Sequence, residues 1–500
     1  MMSTKDTTEE TGGWTPRLVL SMVTMVMILE GTALGYSLVT TALPAITTHF
    51  KTDQGGWLLT GFILSGAILC ALVGKLADIH GKRRMMIICL LVSTAGSVVA
   101  TVAPNFGVLV AGRMLQGTVL PTMFLSYSLM RDVYPRRILP LASAVAMTGT
   151  GVFSIGVPFL IGWLLDNWGF RGLFAFDVLW MIILTPLLLL TTPETRRRVP
   201  SRVDFLGAGM LGFGLGILLL GISSGNRWGW GSVATLGAIA VGLLLLVGFV
   251  KRSLNFAHPI VDLRIFTRRP ILLAAVTAAT AYGATAVTGS LLPMIGMTPG
   301  AAKLGYGLGM TASQYAMITA PQSVAMVVMG VVVGKLLNRV GGATMMRIGL
   351  LLLLLGGLQL GFNHGSYPLV LIAALLVGAG TGLAYGSVPG LVIAGSPADK
   401  QGSIAGMVQV SYSGFASTAP VILFVIMGEL AMRTPDGRVL YPESAINAGG
   451  VFLVSLVTVG LLLASTVLRI RKQDAMIGQD SDSLLDPPAA TVAAGSDSGR

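Results

Sequence analysis

The chain of 500 residues is 53% hydrophobic and 11% charged, with a mean hydropathy of +0.80 and a formal net charge of +12. Too few charged side chains are present to solvate a globular surface of this size, so the composition excludes a soluble protein and predicts one embedded in lipid. The basic residues lie in short loops between apolar runs, which is typical of membrane topology signals and not of a nucleic-acid surface. We therefore expect no nucleic-acid partner.

The polar segment before the first apolar run contains Asp6, Glu9 and Glu10, so it lacks the basic start of a cleaved signal peptide. We expect the first helix to stay in the mature protein. Cys70 and Cys89 both fall inside apolar runs, which predicts buried structural thiols. The four histidines lie at loops or run ends without metal-ligand spacing, so neither a metal nor another cofactor is expected.

Fourteen apolar runs of about 20 residues follow one another, each long enough to cross ~30 Å of hydrocarbon. The first six cover 18–42, 57–77, 85–103, 106–130, 138–165 and 172–192. The remaining eight cover 205–223, 232–250, 271–297, 314–336, 345–362, 367–393, 403–427 and 448–468. This pattern predicts an all-α integral membrane protein.

Two turns 260 residues apart are nearly identical, 74–81 (GKLADIHG) and 334–341 (GKLLNRVG), and each precedes a Met-Met pair. Internal repeats of this kind are typical of secondary transporters. Helices one to six then match helices nine to fourteen, and helices seven and eight are an insertion. The predicted segments are a cytoplasmic N-terminus (1–17), a first half (18–192), a linker with the inserted pair (193–270), a second half (271–470) and a disordered cytoplasmic tail (471–500).

The lysines and arginines sort by side of the membrane. Of the 33, 26 fall in the termini and the loops after even-numbered runs, six fall in the opposite loops, and Arg113 lies inside a run. Because basic loops stay cytoplasmic, both termini are predicted to be cytoplasmic in a multi-pass protein of the cell (plasma) membrane. The arginines at 196–198 are interpreted as a topology anchor, with binding of anionic membrane lipid as the alternative.

Ionisable residues inside hydrocarbon are costly, so Glu30, Arg113 and Asp177 are the candidates for function. Glu30 lies about twelve residues into the first run, near the midplane at about 1.5 Å per residue. It would exchange protons near neutral pH, and the alternative is a permanent ion pair with Arg113. Asp177 lies nearer the outer interface, where a coupling role and snorkelling to water are both open.

The second half has no acid in mid-membrane and offers uncharged polar groups instead. Such groups orient a substrate by weak hydrogen bonds and apolar contact. Together with Gln116 of the first half, the predicted cavity residues are Gln314, Gln322, Tyr385 and Gln409. The glycines at 378, 380 and 382 lie within an apolar run and not after a strand, which argues against a phosphate loop. No nucleophile and base pair can be named, so an enzyme is not expected, and the energy for transport must come from an ion gradient or from substrate.

Several motifs can be read in the first half. The turn 74–84 carries glycine, aspartate and basic residues, and the fourth run contains Arg113, Gln116 and Gly117. The fifth run carries the small residues Gly149, Gly151, Gly156 and Gly162 with Pro158. From the first run to the fourteenth, the chain resembles the major facilitator superfamily, and within it the fourteen-helix drug:proton antiporters.

The resemblance implies the major facilitator fold, with two six-helix halves plus two inserted helices. It implies a charge latch that holds the outward-facing state and contains Gly74, Asp78, Gly81, Lys82, Arg83 and Asp132. It also implies that Arg113 takes part in proton coupling. A closely packed antiporter helix is implied for Gly151, Gly156, Pro158 and Gly162.

The chain departs from the family pattern in the first helix and at three further positions. Ile79, Val157 and Ile161 replace an arginine and two glycines of the motifs. Gly35 stands where the family has an aspartate, and Glu30 lies five residues earlier, about 140° away around the helix. Either the first helix is rotated or unwound so that Glu30 faces the cavity, or coupling has moved to Asp177 and Arg113.

The leading hypothesis is a monomeric, proton-coupled transporter that exports amphipathic cationic or neutral compounds by alternating access of the two halves. The alternative is an exporter dedicated to one physiological solute, such as a lipid, siderophore or metabolite. A non-transporting receptor or scaffold and an inward symporter are the remaining hypotheses. A small amphipathic substrate, protons and membrane lipid are the expected partners.

Overall fold

The computed structural model describes residues 15–135, 138–195, 203–256, 259, 261, 263–264, 269–300, 304–395, 401–434 and 439–483. The predicted N-terminal segment up to residue 14, the arginines at 196–198 and the last seventeen residues lie outside this range.

The first half is built from helices that follow the predicted runs. α1 (Pro16–Phe50), α2 (Gly56–His80) and α3 (Lys82–Thr101) each match one run. The fourth run forms α4 (Phe106–Gln116), a 3-10 turn (Gly117–Val119) and α5 (Thr122–Val133). The helix α6 (Leu139–Thr191) covers the fifth and sixth runs.

The 53 residues of α6 contain a break at Gly169, where φ is 66° and ψ is −174°. A continuous helix of this length would extend about 80 Å at 1.5 Å per residue, far more than the ~30 Å hydrocarbon core. Glycine reaches this positive φ without the steric cost that a Cβ brings. The two arms of α6 therefore correspond to the fifth and sixth predicted spans.

The inserted pair and the second half continue the helical pattern. They comprise α7 (Phe205–Trp228), α8 (Val233–Asn255), α9 (Arg269–Met297), α10 (Ala312–Val340), α11 (Gly342–Phe362), α12 (Tyr367–Gly395), α13 (Gln401–Glu429) and α14 (Glu443–Ser483). A short antiparallel hairpin, β1 (Met432–Arg433) and β2 (Val439–Leu440), precedes α14. The last helix, α14, extends to Ser483 and so includes the first part of the tail from residue 471, for which disorder stays a prediction.

Eleven helices of the described part are long and apolar enough to cross a membrane, or twelve when α2, which bends by 44°, is counted as one span. This count takes 153–191 as one helix and omits α9. Separating the two arms of α6 and adding α9 gives fourteen, which stays a prediction. The fold class, an all-α integral membrane protein, is confirmed.

The two repeated turns have the same backbone conformation. Gly81 joins α2 to α3 with φ 102° and ψ 139°, and Gly341 joins α10 to α11 with φ 83° and ψ 143°. Both lie in the positive-φ region that glycine tolerates and other residues rarely adopt. The sequence repeat is therefore also a repeat of local structure.

The inserted pair packs on helices from both halves. Trp57 Nε1 of α2 donates to Ser223 Oγ of α7 at 2.9 Å, and Asn226 Nδ2 of α7 donates to the Val425 carbonyl of α13 at 3.0 Å. On the other end of the pair, Arg252 forms an ion pair with Asp204 at 2.8 Å. The insertion thus covers the line along which α2 meets α13.

The end of the bundle that carries the β-hairpin is the predicted external end and is termed the outer side; the opposite end is the inner side. A large hydrophobic cluster includes Leu38 and Leu43 of the first half together with Leu291 and Ile295 of the second. A separate cluster towards the inner side contains first-half residues alone. Among the described residues, contacts between the halves are therefore concentrated at the outer side.

Candidate functional site

Arg113 of α4 is fully buried and held by carbonyl groups of two neighbouring helices. Its Nε donates to the Leu58 carbonyl of α2 at 3.1 Å, and its Nη1 donates to the Gly35 carbonyl of α1 at 3.0 Å. The guanidinium also lies 4.4 Å from the centre of the Phe62 ring. These contacts fix the cation by charge-assisted hydrogen bonds and a cation–π contact, which compensate for part of its loss of water.

The amide of Gln116 connects Arg113 to Asp177. Arg113 Nη1 donates to Gln116 Oε1 at 2.5 Å, while Gln116 Nε2 lies 3.2 Å from Asp177 Oδ2. Ser97 of α3 donates from its Oγ to the same carboxylate oxygen at 2.6 Å and accepts from Gln116 Nε2 at 2.8 Å. We call Arg113, Gln116, Ser97 and Asp177 the buried polar network.

Two atoms of this network have no hydrogen-bond partner in the described part of the chain, Arg113 Nη2 and Asp177 Oδ1. Asp177 is 2% exposed, so it does not snorkel to water as one sequence interpretation allowed. A buried carboxylate oxygen without a donor has the capacity to accept a proton. The network therefore contains the Asp177 carboxylate, which can accept a proton at Oδ1, and the Arg113 cation within electrostatic range of it.

Glu30 of α1 is buried, but it lies apart from this network. It interacts electrostatically with Tyr127 of α5, whereas the electrostatic partners of Arg113 are Asp177 and Tyr36. The structure thus associates Arg113 with Asp177, and Glu30 is not among the described interaction partners of Arg113. Glu30 remains a second buried carboxylate on the inner half of α1.

The predicted charge latch is formed only in part. Lys82 Nζ lies 2.5 Å from Asp132 Oδ2, as expected. Arg83 does not join it: its Nη2 donates to the Leu189 carbonyl at 2.5 Å. Asp78 is exposed and makes no ion pair within the described residues. In this structure the latch residues thus form the single pair Lys82–Asp132, and the side chain of Arg83 reaches the end of α6. The full latch of the outward-facing state stays a prediction.

A carboxylate that was not predicted caps α3 next to the latch. Glu194 accepts from the backbone N–H of Arg83 at 3.0 Å and of Arg84 at 2.9 Å. The first N–H groups of a helix lack intrahelical partners and attract negative charge, so this contact ties the end of α6 to α3. A Cβ on Gly81 would lie 2.7 Å from the Glu194 carboxyl carbon. Glycine is therefore favoured at position 81 by lack of space as well as by its positive φ.

The predicted antiporter helix is closely packed at one position. A Cβ on Gly162 would lie 2.6 Å from the Ala312 carbonyl oxygen of α10, so this glycine lets the two halves approach closely. Gly156 is exposed, with nothing near its Cβ position, and Pro158 lies within α6. Gly151 lies in the same helix, and its surroundings are outside the described features. Of the two glycines whose surroundings are described, only Gly162 is closely packed.

One turn beyond Gly162, Asp166 joins the halves directly. Its Oδ1 accepts from the backbone N–H of Ala312 at 2.9 Å and its Oδ2 accepts from that of Ser313 at 2.8 Å. These are the first N–H groups of α10, where the helix dipole also favours an anion. A first-half carboxylate therefore caps a second-half helix at the outer side.

The predicted cavity residues lie in different parts of the structure. Gln314 is exposed at the start of α10, where its Oε1 accepts from Thr311 N at 3.0 Å in a capping box, so its assignment to the cavity is wrong. Gln322 is half-buried where α10 closely approaches Gly378 of α12. The side chain of Gln409 in α13 lies outside the described features. Gln116 belongs to the buried polar network.

Tyr385 is part of a column of three aromatic rings. The Tyr282 ring of α9 stacks on Tyr385 of α12 at 3.7 Å between centroids and on Tyr412 of α13 at 3.9 Å, with interplanar angles of 8° and 21°. We call these three residues the tyrosine stack. Tyr36 of α1 is within electrostatic range of both Tyr385 of the stack and Arg113 of the buried polar network.

Several residues of these arrangements carry no sequence motif: Ser97, Asp166, Glu194, Tyr282 and Tyr412. The available signals are weak, namely one tyrosine within each of several spans and carboxylates near span ends. Pairing across 80 or more residues is a tertiary property, so the sequence pattern could not reveal it.

Residues 31–420 match the sequence profile of the Major Facilitator Superfamily. The chain belongs to this family. It is 29% identical over 409 residues to the Multidrug resistance protein Stp of Mycobacterium tuberculosis (strain ATCC 25618 / H37Rv), covering 79% of this chain and 72% of that protein. It is 26% identical over 432 residues to the Uridine/deoxyuridine transporter of Lactococcus lactis subsp. cremoris (strain MG1363), covering 82% and 87%.

The Probable actinorhodin transporter of Streptomyces coelicolor is 26% identical over 484 residues, covering 92% of this chain and 80% of that one. Among solved structures, the human organic anion transporter MFSD10 (TETRAN) superposes with a TM-score of 0.57 at 17% identity, covering 90% and 100%. The transporter PepTSo superposes with a TM-score of 0.65 at 13% identity, covering 92% and 99%. These structural likenesses concern the fold. The chain is therefore a multi-pass membrane transporter for small molecules, and its family is one of transporters and not of enzymes.

Proposed function

We propose that this Major Facilitator Superfamily member is a proton-coupled antiporter that exports amphipathic, cationic or neutral compounds from the cytoplasm by alternating access. The observation that carries the proposal is the buried Asp177, whose Oδ1 has no donor among the described residues while its Oδ2 accepts from Ser97 and Gln116. This arrangement holds the carboxylate in one orientation and leaves one oxygen for a proton.

The proton cycle is argued from charge. In the ionised state Asp177 is balanced by Arg113 through the amide of Gln116. Protonation at Oδ1 removes the negative charge and leaves the Arg113 cation with Gly35 and Leu58 carbonyls and the Gln116 oxygen. Because opposite buried charges stabilise each other strongly in a low dielectric, the two states favour different positions of α4 against α6.

Alternating access is supported by the distribution of contacts between the halves. On the outer side, Asp166 caps α10 and Gly162 packs against Ala312, so the outer path is closed. On the inner side, the first-half cluster has no second-half member among the described residues. This is the arrangement expected for the state that receives substrate from the cytoplasm, with both termini on that side, as the basic loops predict.

The direction and substrate class take support from relatives. The mycobacterial Stp is named a multidrug resistance protein. The Escherichia coli (strain K12) EmrY, 27% identical over 279 residues that cover 54% of each chain, is named a probable multidrug resistance protein. A cationic compound would compete with protons for the negative field of Asp177 and Glu30, which links export to proton entry. We propose a monomer in the plasma membrane, with lipid around its fourteen spans.

The experiment is substrate-driven proton movement in proteoliposomes that contain the full chain. A panel of lipophilic cations is added on the side of the termini, and pH is followed for the wild type, Asp177→Asn and Glu30→Gln. Proton release in the wild type that is lost in one variant supports antiport and identifies the coupling acid. Release that persists in both variants, or no release with any cation, contradicts the proposal.

A second candidate function is export or exchange of one physiological solute. Two relatives are named for single compounds, uridine/deoxyuridine and actinorhodin. In addition, Gly35 stands where the resemblance to the drug:proton antiporters implies an aspartate. Transport of one compound from a broad panel, with no cation moving a proton, would favour this candidate.

A further inference from the structure

The tyrosine stack lies deep in the molecule but is not fully enclosed. Tyr412, at one end, is only 6% exposed, whereas Tyr282 and Tyr385 are half-buried. Tyr282 covers one face of Tyr385 at 3.7 Å, which leaves the other face and the edge of Tyr385 for contact with a ligand. The three rings come from α9, α12 and α13, and the residues from α9 and α12 keep accessible surface.

The geometry of the stack is unusual for rings that only fill a core. Isolated aromatic pairs prefer offset or edge-to-face arrangements, and the near-parallel column of three rings is a flat, repeated π-surface. The hydroxyl groups of Tyr282 and Tyr412 lie near each other, and that of Tyr385 lies near Thr285. Each polar end thus has a polar neighbour in the protein, and the ring face of Tyr385 is the surface considered for a ligand.

The stack also lies next to the coupling machinery. Tyr36 interacts electrostatically with Tyr385 and with Arg113, and its Oη is 3.6 Å from the position of a Cβ on Gly289 of α9. A compound on Tyr385 would therefore be within the reach of α1 of the first half while it rests on the second half. That is a position from which occupancy of the site affects how the halves meet.

We propose that the tyrosine stack is the substrate platform of the transporter and that its ligands are planar, conjugated aromatic compounds that are cationic or electron-poor. A flat ring extends the column by stacking on the accessible face of Tyr385. The negative π-face of tyrosine attracts positive or electron-deficient rings, and the contact is lost when a ligand is not flat. This inference rests on the proposed function and specifies the substrate class.

The test is equilibrium binding to the purified full chain, measured by fluorescence polarisation with ethidium, a planar aromatic cation. Tetraphenylphosphonium, a lipophilic cation whose rings are not coplanar, is measured by competition. Tyr385→Leu is expected to weaken ethidium binding about tenfold, with tetraphenylphosphonium changed by less than about threefold. Tyr385→Phe keeps the π-face and should retain ethidium binding. Tyr367→Leu, at the exposed outer end of the same helix, is the matched control and should leave both unchanged.

Equal weakening of both cations by Tyr385→Leu, or no weakening of either, overturns the inference. A comparison in the wild type is independent of whether the variants fold: a planar tricyclic amine should displace ethidium, and its ring-saturated, non-planar counterpart should do so at least tenfold less well. Similar displacement by the two overturns the inference. If tetraphenylphosphonium drives proton release while planar compounds have no advantage, the substrate class is wrong and the antiporter proposal stands. If planar compounds bind selectively but no compound drives proton release, the antiporter proposal is wrong and the inferred substrate class stands.

Discussion

Arg113 and Asp177 do not bind each other directly in the network that joins them; the amide of Gln116 lies between the two charges. Gln116 accepts from the arginine at 2.5 Å and donates towards the carboxylate at 3.2 Å. This amide can remain bonded to both partners while Asp177 Oδ1 gains or loses a proton. Substitutions at Asp177 and at Arg113 should therefore have different, measurable effects on proton release and stability.

Asp177→Asn should lower substrate-driven proton release by roughly tenfold or more, because an amide offers no proton-binding carboxylate in a membrane interior. Asparagine preserves an oxygen for Ser97, so the network stays assembled. Equilibrium binding of a lipophilic cation should persist through the field of Glu30 but depend less on pH, because protons no longer compete at position 177. Both quantities are measured on the same preparation. Glu429→Gln at the outer end of α13 is the control for removing a carboxylate outside the network, and normal proton release in Asp177→Asn would remove this acid from the mechanism.

Arg113→Ala should be severe for both stability and transport. It removes the side-chain donor that bridges the Gly35 and Leu58 carbonyls and leaves the buried charge of Asp177 without its neighbouring cation, a loss of about 3–5 kcal/mol for an uncompensated buried charge. Arg113→Lys keeps the charge but lacks the planar fork and should be intermediate. The check is the melting temperature in detergent together with transport. A fully active Arg113→Ala variant would contradict the assignment.

Reversal of the inner-side pair tests whether Lys82 and Asp132 act through charge. Lys82→Asp and Asp132→Lys should each lower the transport rate several-fold, and the double variant should recover part of it, because the 2.5 Å pair is partly shielded from water. Asp78→Asn should have a smaller effect on this state, since Asp78 is exposed. Initial transport rates at matched expression give the comparison. Failure of the double variant to exceed either single one would argue against a charge latch.

The repeated turns supply a matched pair of glycine variants. Gly81→Ala and Gly341→Ala both force alanine to a positive φ, at a cost of about 1–3 kcal/mol. At Gly81 the new methyl group would also meet the Glu194 carboxylate, while at Gly341 nothing lies within 4 Å. Gly81→Ala should therefore have the lower melting temperature. Equal melting temperatures would mean that the Glu194 carboxylate moves away from the new methyl group without loss of stability.

Asp166→Ala should shift the transporter towards states that are open on the outer side. The loss of a helix cap costs about 0.5–2 kcal/mol, and here the cap exists only while the halves are closed. Thr48, which lines a cavity of about 430 Å³ on the outer side, is changed to cysteine for measurement. Labelling of Thr48→Cys by a water-soluble maleimide, in a background without Cys70 and Cys89, should be faster in the Asp166→Ala variant. An unchanged labelling rate would exclude Asp166 as an outer closure.

The sequence predicted local features well where local physics decides them. Hydrophobic run length defines the spans, because unpaired backbone groups are excluded from lipid. Glycines at 81 and 341 were visible as a repeat, and Lys82 with Asp132 was predicted from a motif. The assignment of Gln314 to the cavity failed because the same side chain is a good capping residue, and a pattern of polar residues does not distinguish the two uses.

The sequence by itself determined that this chain is a duplicated helical membrane protein, since composition, run length and the repeated turn are properties of neighbouring residues. The tertiary structure alone decided that Arg113 associates with Asp177, that Asp166 caps a helix of the other half, and that tyrosines from α9, α12 and α13 form one stack. These relationships depend on the rotation and depth of helices that are far apart in the chain. Helix packing sets both, and no local pattern encodes them.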